Sequence, residues 1–534
     1  MIFSAKAIRS IFISLFFILS FGQANVHAQL SNGNDITPVL PAILNLLMPA
    51  NSCPAADDNP LDDNPLPNNI NIFNQADLDA LTGITRIAGI SIQGSQTNLD
   101  FSPLESLVEV TGNIDLRNFT GTSIDFFNCV TTAGRVLIED STNLTSITGF
   151  ESLTTITSPS TSTLSAGFRI VNNPNLTTVS SFEQLTTVID SFEINSNEVL
   201  VNIPAFSSLQ SIGESLIIFD NNSILSTPEF PALTSIGDLF IIQENESLTT
   251  LPGFPLLSSV GDLFTINSHE SLVNITNFDS LTFVGATFAI DGANVSNNPV
   301  LAQLPEFPVL NDVQSVNLSE NDSITNIPAF PMLTNTLVTI SGNDSLVNLD
   351  GFSSLTSSAQ IEIKSNPLLT QISGFDNLDS ASLRLEQNPV LEDLSAFSSL
   401  TTLTSLSILG NDVLNDFSDF NGLTSIGNLT IRGNLQVQNL SDFNGLTSTG
   451  FLVIEQNGNL QDINLNNLTS AVNVTIRDNP SLETISFTNL SVSSLTEIST
   501  NASFDCTGQI SNLVPIQISV GNLVDCENDG FIFD

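Results

Sequence analysis

The apolar positions of this chain fall into one repeating frame. In Phe240-Ile-Ile-Gln-Glu-Asn245, Phe240 and Ile242 point one way, which is the period of a strand. After Asn245 the apolar residues come at every third position: Leu248, Leu251, Phe254, Leu257 and Val260. Gly261 then turns the chain into a second strand carrying Phe264 and Ile266, and prolines fall at the corners (Pro252, Pro255). No stripe with the helical period of 3.6 residues appears.

Phenylalanines mark the copies. Phe182, Phe206, Phe230, Phe254 and Phe278 are spaced by 24, and Phe307, Phe330, Phe352, Phe375, Phe397, Phe420 and Phe443 by 22 or 23. Leu465 and Phe487 continue the series. Irregular copies run back through Phe150, Phe127 and Phe101 to about Leu78. A period of this length marks a solenoid, propeller or array. Stacking about seventeen such turns predicts an all-β solenoid whose parallel strands lie about 4.8 Å apart, on the order of 80 Å long. The end turns need caps.

One corner carries a recurrent asparagine: Asn173, Asn197, Asn221, Asn245, Asn298, Asn321, Asn343, Asn366, Asn388, Asn411, Asn434, Asn457 and Asn479. A side-chain amide both donates and accepts, so stacked copies can satisfy the backbone of a buried corner. Ser141 takes this place in an early turn and His269 in a later one. His269 has two readings, a general base or a substituted ladder residue, and its register favours the second.

The stretch Phe230-Pro-Ala-Leu-Thr-Ser-Ile-Gly-Asp-Leu-Phe-Ile-Ile-Gln-Glu-Asn245 resembles the leucine-rich-repeat relatives called receptor L domains. Asn128-Cys129, shortly before Gly134-Arg-Val-Leu-Ile138, is similar to a Cys position of that family. The resemblance covers about residues 75–490. It implies a right-handed parallel β-solenoid, and loosely a binding role, since one fold hosts many functions. The chain has more turns than the receptor lobes and no Cys-rich modules, membrane span or kinase, so receptor signalling is not implied.

Composition narrows the function. There are 10 Lys+Arg against 55 Asp+Glu, a formal charge of −45, which argues against a nucleic-acid partner. Lys6 and Arg9 precede the apolar run Ile11–Phe21, and Val26-His-Ala28 precedes Gln29 as a small-x-small cleavage pattern. Residues 1–28 therefore read as a secretory signal, too short to span a bilayer well. No cysteine near the cleavage position offers a lipid site, and no hydrophobic tail follows Gly530. The product is expected to be secreted, at the cell surface or periplasmic. Residues 29–74, with Asp57-Asp-Asn-Pro-Leu61 repeated at Asp62–Leu66, read as a Pro-stiffened linker. Residues 75–487 form the repeat region and 488–534 a C-terminal cap. No cofactor is expected. The acidic excess, including Asp220, Glu244, Glu320 and Asp478 beside the ladder, suggests weak nonspecific calcium binding.

Four cysteines suit an oxidising compartment. Cys506 and Cys526 are expected to pair across the C-terminal cap, leaving Cys53 and Cys129 to tie the N-terminal segment to an early turn. Buried free thiols are the alternative. Asn-x-Ser/Thr sequons such as Asn118, Asn143, Asn274 and Asn467 occur, but Asn245 and Asn343 lie in the ladder, where a glycan cannot fit.

A binding face is sought at the residues four and two before each ladder Asn, which point outward from the sheet. They include Arg169, Glu193, Glu362, Lys364, Arg384, Glu386, Leu409, Arg432, Glu455 and Arg477, a mixed-charge stretch. Opposite charges on neighbouring strands explain this structurally. A docking surface is the functional reading. Nearer the N-terminus the face carries Ile217, Phe219, Ile241, Gln243 and Thr265, an apolar patch of the kind that marks a partner site or lies under a loop. The insertions near Ser158–Ser165 and Asp291–Asn297 are candidate loops. The favoured function is a non-enzymatic adhesion or binding scaffold for a protein or cell-surface polysaccharide. A polysaccharide-cleaving solenoid with paired carboxylates is the first alternative. It is disfavoured because no acidic pair breaks the repeat and sugar-stacking Trp and Tyr are absent. An ice- or surface-binding solenoid is the second, from Leu-Thr-Ser-Ile stacks such as Leu233–Ile236, Leu423–Ile426 and Leu153–Ile156.

Overall fold

The computed structural model describes residues 53–54, 69–94, 98–157, 167–180, 182–285, 293–487 and 490–499. The expected signal segment, both Asp-Asp-Asn-Pro-Leu repeats, the insertion Ser158–Ser165, Cys506, Cys526 and nearly all of the expected cap lie outside them. The chain divides into two units, Met1–Asp58 and Asn59–Asp534. The second is the repeat solenoid.

Each turn contributes one long strand or two short ones, such as Ser235–Ile236 and Phe240–Gln243, to a parallel sheet of 27 strands among the described residues. The stacking begins at Ile70–Ile72, which pairs in parallel with Ile90–Ile92, followed by a short capped helix at Gln75–Asp79. It continues to Ser491–Ser499, paired on Ser470–Arg477. Register follows the repeat: Phe240, Ile241, Ile242 and Gln243 face Phe264, Thr265, Ile266 and Asn267 of the next turn. A one-residue slip would turn the whole apolar set outward, so the alternation itself fixes this register.

Inside, the every-third-residue apolar positions close a dry core. Leu248, Leu251, Phe254, Leu257 and Val260 are all fully buried. The marker phenylalanines form one stacked spine. Phe206, Phe230, Phe254, Phe278 and Phe307 follow one another with ring centroids 5.4–5.8 Å apart and interplanar angles of 7–14°. Strand residues meet this spine edge-on, as Phe240 does Phe254 at 5.0 Å and 75°. Both geometries are favoured by the ring quadrupole.

The corner after each strand combines two devices. The ladder Asn is fully buried in every turn. Asn221 shows the pattern: its Nδ2 donates to Ile194 O (2.9 Å) and Phe219 O (3.0 Å), and its Oδ1 accepts from Asn197 N–H (3.2 Å). The residue just before the ladder position has positive φ in turn after turn, from Asn118 (52°) and Asp140 (55°) through Glu244 (51°) and Glu320 (57°) to Asp478 (57°). Gly342, Gly410 and Gly433 fill the same place without strain. The acids expected to concentrate cations beside the ladder are therefore corner residues held in the left-handed region.

The Thr/Ser stacks form a second ladder. Thr154 Oγ1 donates to Thr131 O, Thr186 to Thr154 O and Thr234 to Gln210 O, each at 2.9 Å. Thr424, Thr447 and Thr469 repeat this further along. These hydroxyls add a second donor to corner carbonyls that already accept the backbone N–H of the same threonine, as Thr131 O does from Thr154 and Gln210 O from Thr234.

Candidate binding face

Because Phe240 and Ile242 face the core, the alternate residues Ile241 and Gln243 must face out, and the same holds in each strand. The outward positions build two rows across the sheet. At the N-terminal end of the sheet Arg86, Arg117 and Arg135 pair with Glu109, Glu139 and Asp115 of neighbouring strands, none of which the sequence pattern had singled out. Arg135 reaches both oxygens of Asp115, at 2.8 and 2.7 Å. Arg169 pairs with Glu193 at 2.7 Å across the strands, as the sequence suggested.

The C-terminal stretch brings Lys364, Arg384, Arg432 and Arg477 onto one face, but not all through neighbouring strands. Lys364 pairs with Glu362 of its own strand at 2.6 Å, although Glu386 lies opposite it in register. Arg384 likewise takes Glu386, two residues on. Residues i and i+2 of one strand lie about 6.6 Å apart and cross-strand neighbours about 4.8 Å, and a long side chain can span either distance. Glu455 is the hub: Arg477 Nε lies 2.8 Å from it and Arg432 Nε 3.9 Å, and its side chain is only 7% exposed. Every one of the eight Lys and Arg beyond residue 28 thus makes an ion pair. An open groove of about 500 Å³ runs over this stretch, lined by Leu409, Thr430, Arg432, Val453 and Glu455 among others.

Between the charged ends lies an uncharged centre. Ile217 faces Ile241, Ile241 faces Thr265, and Thr265 faces Asn294. In the second row Phe219, Gln243, Asn267 and Ser296 follow in order. Ile217, Phe219 and Ile241 are half-buried, and Thr265 is 4% exposed. Thr265 Oγ1, Asn267 Oδ1 and Asn294 Oδ1 are buried without a hydrogen-bond partner. The sequence marked the apolar half of this centre. It did not mark Asn267 and Asn294, whose unpaired state depends on packing.

His269 sits in the ladder, fully buried. Nδ1 accepts the Asn245 N–H at 3.2 Å and Nε2 lies 3.1 Å from Ile242 O. Burial lowers its pKa from 6.5 to about 4, against the raising effect of its backbone partners. It is a ladder residue and faces no solvent-accessible cleft. The ladder is interrupted at the next step, where Asn298 Oδ1 is buried and unpartnered. Acids crowd elsewhere: burial and the neighbouring Asp344 and Glu320 raise the pKa of Asp322, and burial with Asp393, Asp416 and Asp442 raises that of Asp419. A smaller groove of about 280 Å³ at the ladder corner is lined by Asp220, Glu244, Glu246 and Glu270 with Ser268 and Asn297. Among the described residues no group of three or more His, Cys, Asp or Glu has metal-binding geometry. Cys53 and Cys129 are each disulfide-bonded, and Cys129 is buried. Among the described residues no helix is long and apolar enough to cross a membrane.

No protein-family model matches the chain, and no curated protein does. Solved structures do. A leucine-rich repeat protein from Bacteroides ovatus matches at 14% identity and a TM-score of 0.31, over 58% of this chain and 94% of that one. Toll in its complex with Spätzle, from Drosophila, matches at 15% identity and a TM-score of 0.31, over 80% of this chain and 63% of that one. TLR13 in a complex with ssRNA13 matches at 14% identity and a TM-score of 0.25, over 79% and 64%. The chain spans less than two thirds of the length of the last two. Its own turns, with a strand, an asparagine corner and apolar residues at every third position, make it a leucine-rich-repeat-like parallel β-solenoid.

Proposed function

We propose that the protein is a secreted or cell-surface, non-enzymatic scaffold that binds a protein or glycan through the outward face of its ladder-side sheet. One observation carries this reading. Along the strands the inward positions repeat as Leu, Ile, Val or Phe, while the outward ones change from turn to turn among Ile, Phe, Thr, Asn, Ser, Glu and Arg. A fold that holds its core constant while varying one accessible face presents information there. The N-terminal secretory pattern and the disulfide-bonded Cys53 and Cys129 support an oxidising, extracytoplasmic setting. Pairing of Cys53 with Cys129 and of Cys506 with Cys526, and kinship with receptor L domains, belong to the same proposal. Peptide mapping without reduction reads the pairing directly.

The test is binding of the purified protein to isolated cell envelopes and to a panel of polysaccharides, with calcium and with chelator. Saturable binding without release of sugar is expected. Release of reducing sugar would replace the scaffold reading with an enzymatic one. Binding to none of them would refute it.

A further inference from the structure

Resting on that scaffold reading, the centre of the sheet face is a more specific site. An unpaired buried polar atom is costly, and native proteins rarely leave several together. Here Thr265 Oγ1, Asn267 Oδ1 and Asn294 Oδ1 lie unpaired on the outward side of two adjacent strands, Phe264–Asn267 and Ala293–Ser296. Register sets Thr265 directly beside Ile241, which lies beside Ile217, and in the second row Gln243 stands between Asn267 and Phe219. One half of the patch is apolar, with an aromatic ring. The other half offers amide and hydroxyl groups already stripped of partners.

We infer that this patch binds an uncharged glycan. The side chains of Asn267 and Asn294 are half-buried, so a rotation of the amide turns each unpaired oxygen outward to the donors that a sugar's hydroxyls supply at closely spaced positions. The patch runs over four adjacent strands, about 14 Å at the ordinary strand spacing, so a run of sugar units spans it: the apolar face of one pyranose ring packs on Phe219 and the two isoleucines, and the hydroxyls of the units that follow reach Asn267 and Asn294. Charge excludes the acidic sugars. No Lys or Arg lies on the outward positions of the strands from Leu216–Phe219 to Leu337–Ser341, and the eight basic residues elsewhere are already paired with acids. The flanking corners carry Asp220 and Glu244, which repel a uronate or sulfated chain. A peptide is the poorer fit, because its backbone would find the strand N–H and C=O groups of the face already spent on the parallel ladder.

Affinity electrophoresis of the full protein tests this, with mannan, laminarin and hydroxyethyl cellulose as neutral probes and polygalacturonate as the anionic one. At least one neutral probe is expected to retard the protein, with no change on adding salt. Phe219→Ala should weaken that retardation at least ten-fold. Thr265→Val and Asn294→Leu should weaken it too, yet leave the melting temperature of the free protein unchanged or raised, because each removes an unpaired polar atom without opening a cavity. A purely structural role for these residues predicts the opposite, a lower melting temperature with binding intact. Retardation by polygalacturonate alone, by no probe, or equally in the variants overturns the assignment. If envelope binding persists in such a case, the scaffold reading stands without this site. If envelope binding is also absent, both fall.

Discussion

His269 Nδ1 accepts the backbone N–H of Asn245 at 3.2 Å, in the place where the turn before uses the Asn245 amide oxygen to accept from Asn221 N–H. Nε2 takes the role of the amide nitrogen toward Ile242 O, at 3.1 Å. An imidazole can copy an amide in this way only while neutral, because a proton on Nδ1 would set two donors against each other. The ring is buried and its pKa is lowered to about 4 from 6.5. Between these values the unfolded chain takes up a proton that the folded chain refuses. The stability tied to this group is complete above pH 6.5 and falls as the pH drops towards 4, by about 3 kcal/mol in all. His269→Asn should remove this component. Urea midpoints at pH 7, 5.5 and 4.5 would show a shallower decline for the variant, and parallel curves would disprove the account.

The amide ladder itself should be costly to break. Asn366 accepts from Asn343 N–H through Oδ1 (3.1 Å), and its Nδ2 donates to Ile340 O (3.2 Å) and Lys364 O (2.9 Å). Asn366→Leu fills the volume but leaves the Asn343 N–H buried without its acceptor and takes a donor from Ile340 O, while Lys364 O keeps the Gly342 N–H. A loss of about 2 kcal/mol or more is expected, at the sum of two such groups. Chemical denaturation reads it. A loss under 1 kcal/mol would show that water enters the corner.

The ladder and the phenylalanine spine were legible because both face inward, where each turn meets a copy of itself and the same residue suits every turn. The outward and corner features were less so. Leu233-Thr-Ser-Ile236 and its relatives were visible as stacks, but whether Thr234 presents its hydroxyl to a surface or to Gln210 O depends on the corner geometry. The pairing of Lys364 with Glu362 rather than Glu386 is a rotamer choice between two carboxylates within the reach of one lysine side chain. The left-handed corner left its trace in the glycines at 342, 410 and 433 and the asparagines at 118, 172 and 297, hidden among Asp, Glu, Gln and Ser in the other turns. The unpaired atoms of Thr265, Asn267 and Asn294 had no trace, since only packing decides which polar groups lose their water.

That corner conformation gives two opposed expectations. Glu320 holds φ at 57° and stands near Asp322, whose pKa it helps to raise. A left-handed non-glycine residue costs about 1–2 kcal/mol, and glycine gives back about 0.5–1 in the unfolded chain. Glu320→Gly should therefore stabilise by up to about 1 kcal/mol. At the second corner, a Cβ on Gly237 would collide with the Gly213 carbonyl oxygen, and the same holds for Gly261 against Gly237. Gly237→Ala should cost more than about 2 kcal/mol through backbone displacement. Thermal melts of the two variants should move in opposite directions. Movement in the same direction would show that the corners are softer than the register requires.

Glu455 separates structural charge from functional charge. It lies between Arg432 and Arg477 in register and is nearly enclosed by them. Glu455→Gln keeps its shape but leaves two guanidinium groups facing each other, so a loss of about 1–3 kcal/mol is expected. Arg86→Ala, whose ion pair is largely exposed, should cost less than about 0.5 kcal/mol. The double reversal of Arg432→Glu and Arg477→Glu places three carboxylates together over the groove beside Leu409 and Val453. If this end of the face also docks a partner, envelope binding should fall by more than the melting temperature explains. Binding that stays intact while stability drops would confine the charged rows to holding the sheet, and would leave the uncharged centre around Phe219 and Asn294 as the surface that does the recognising.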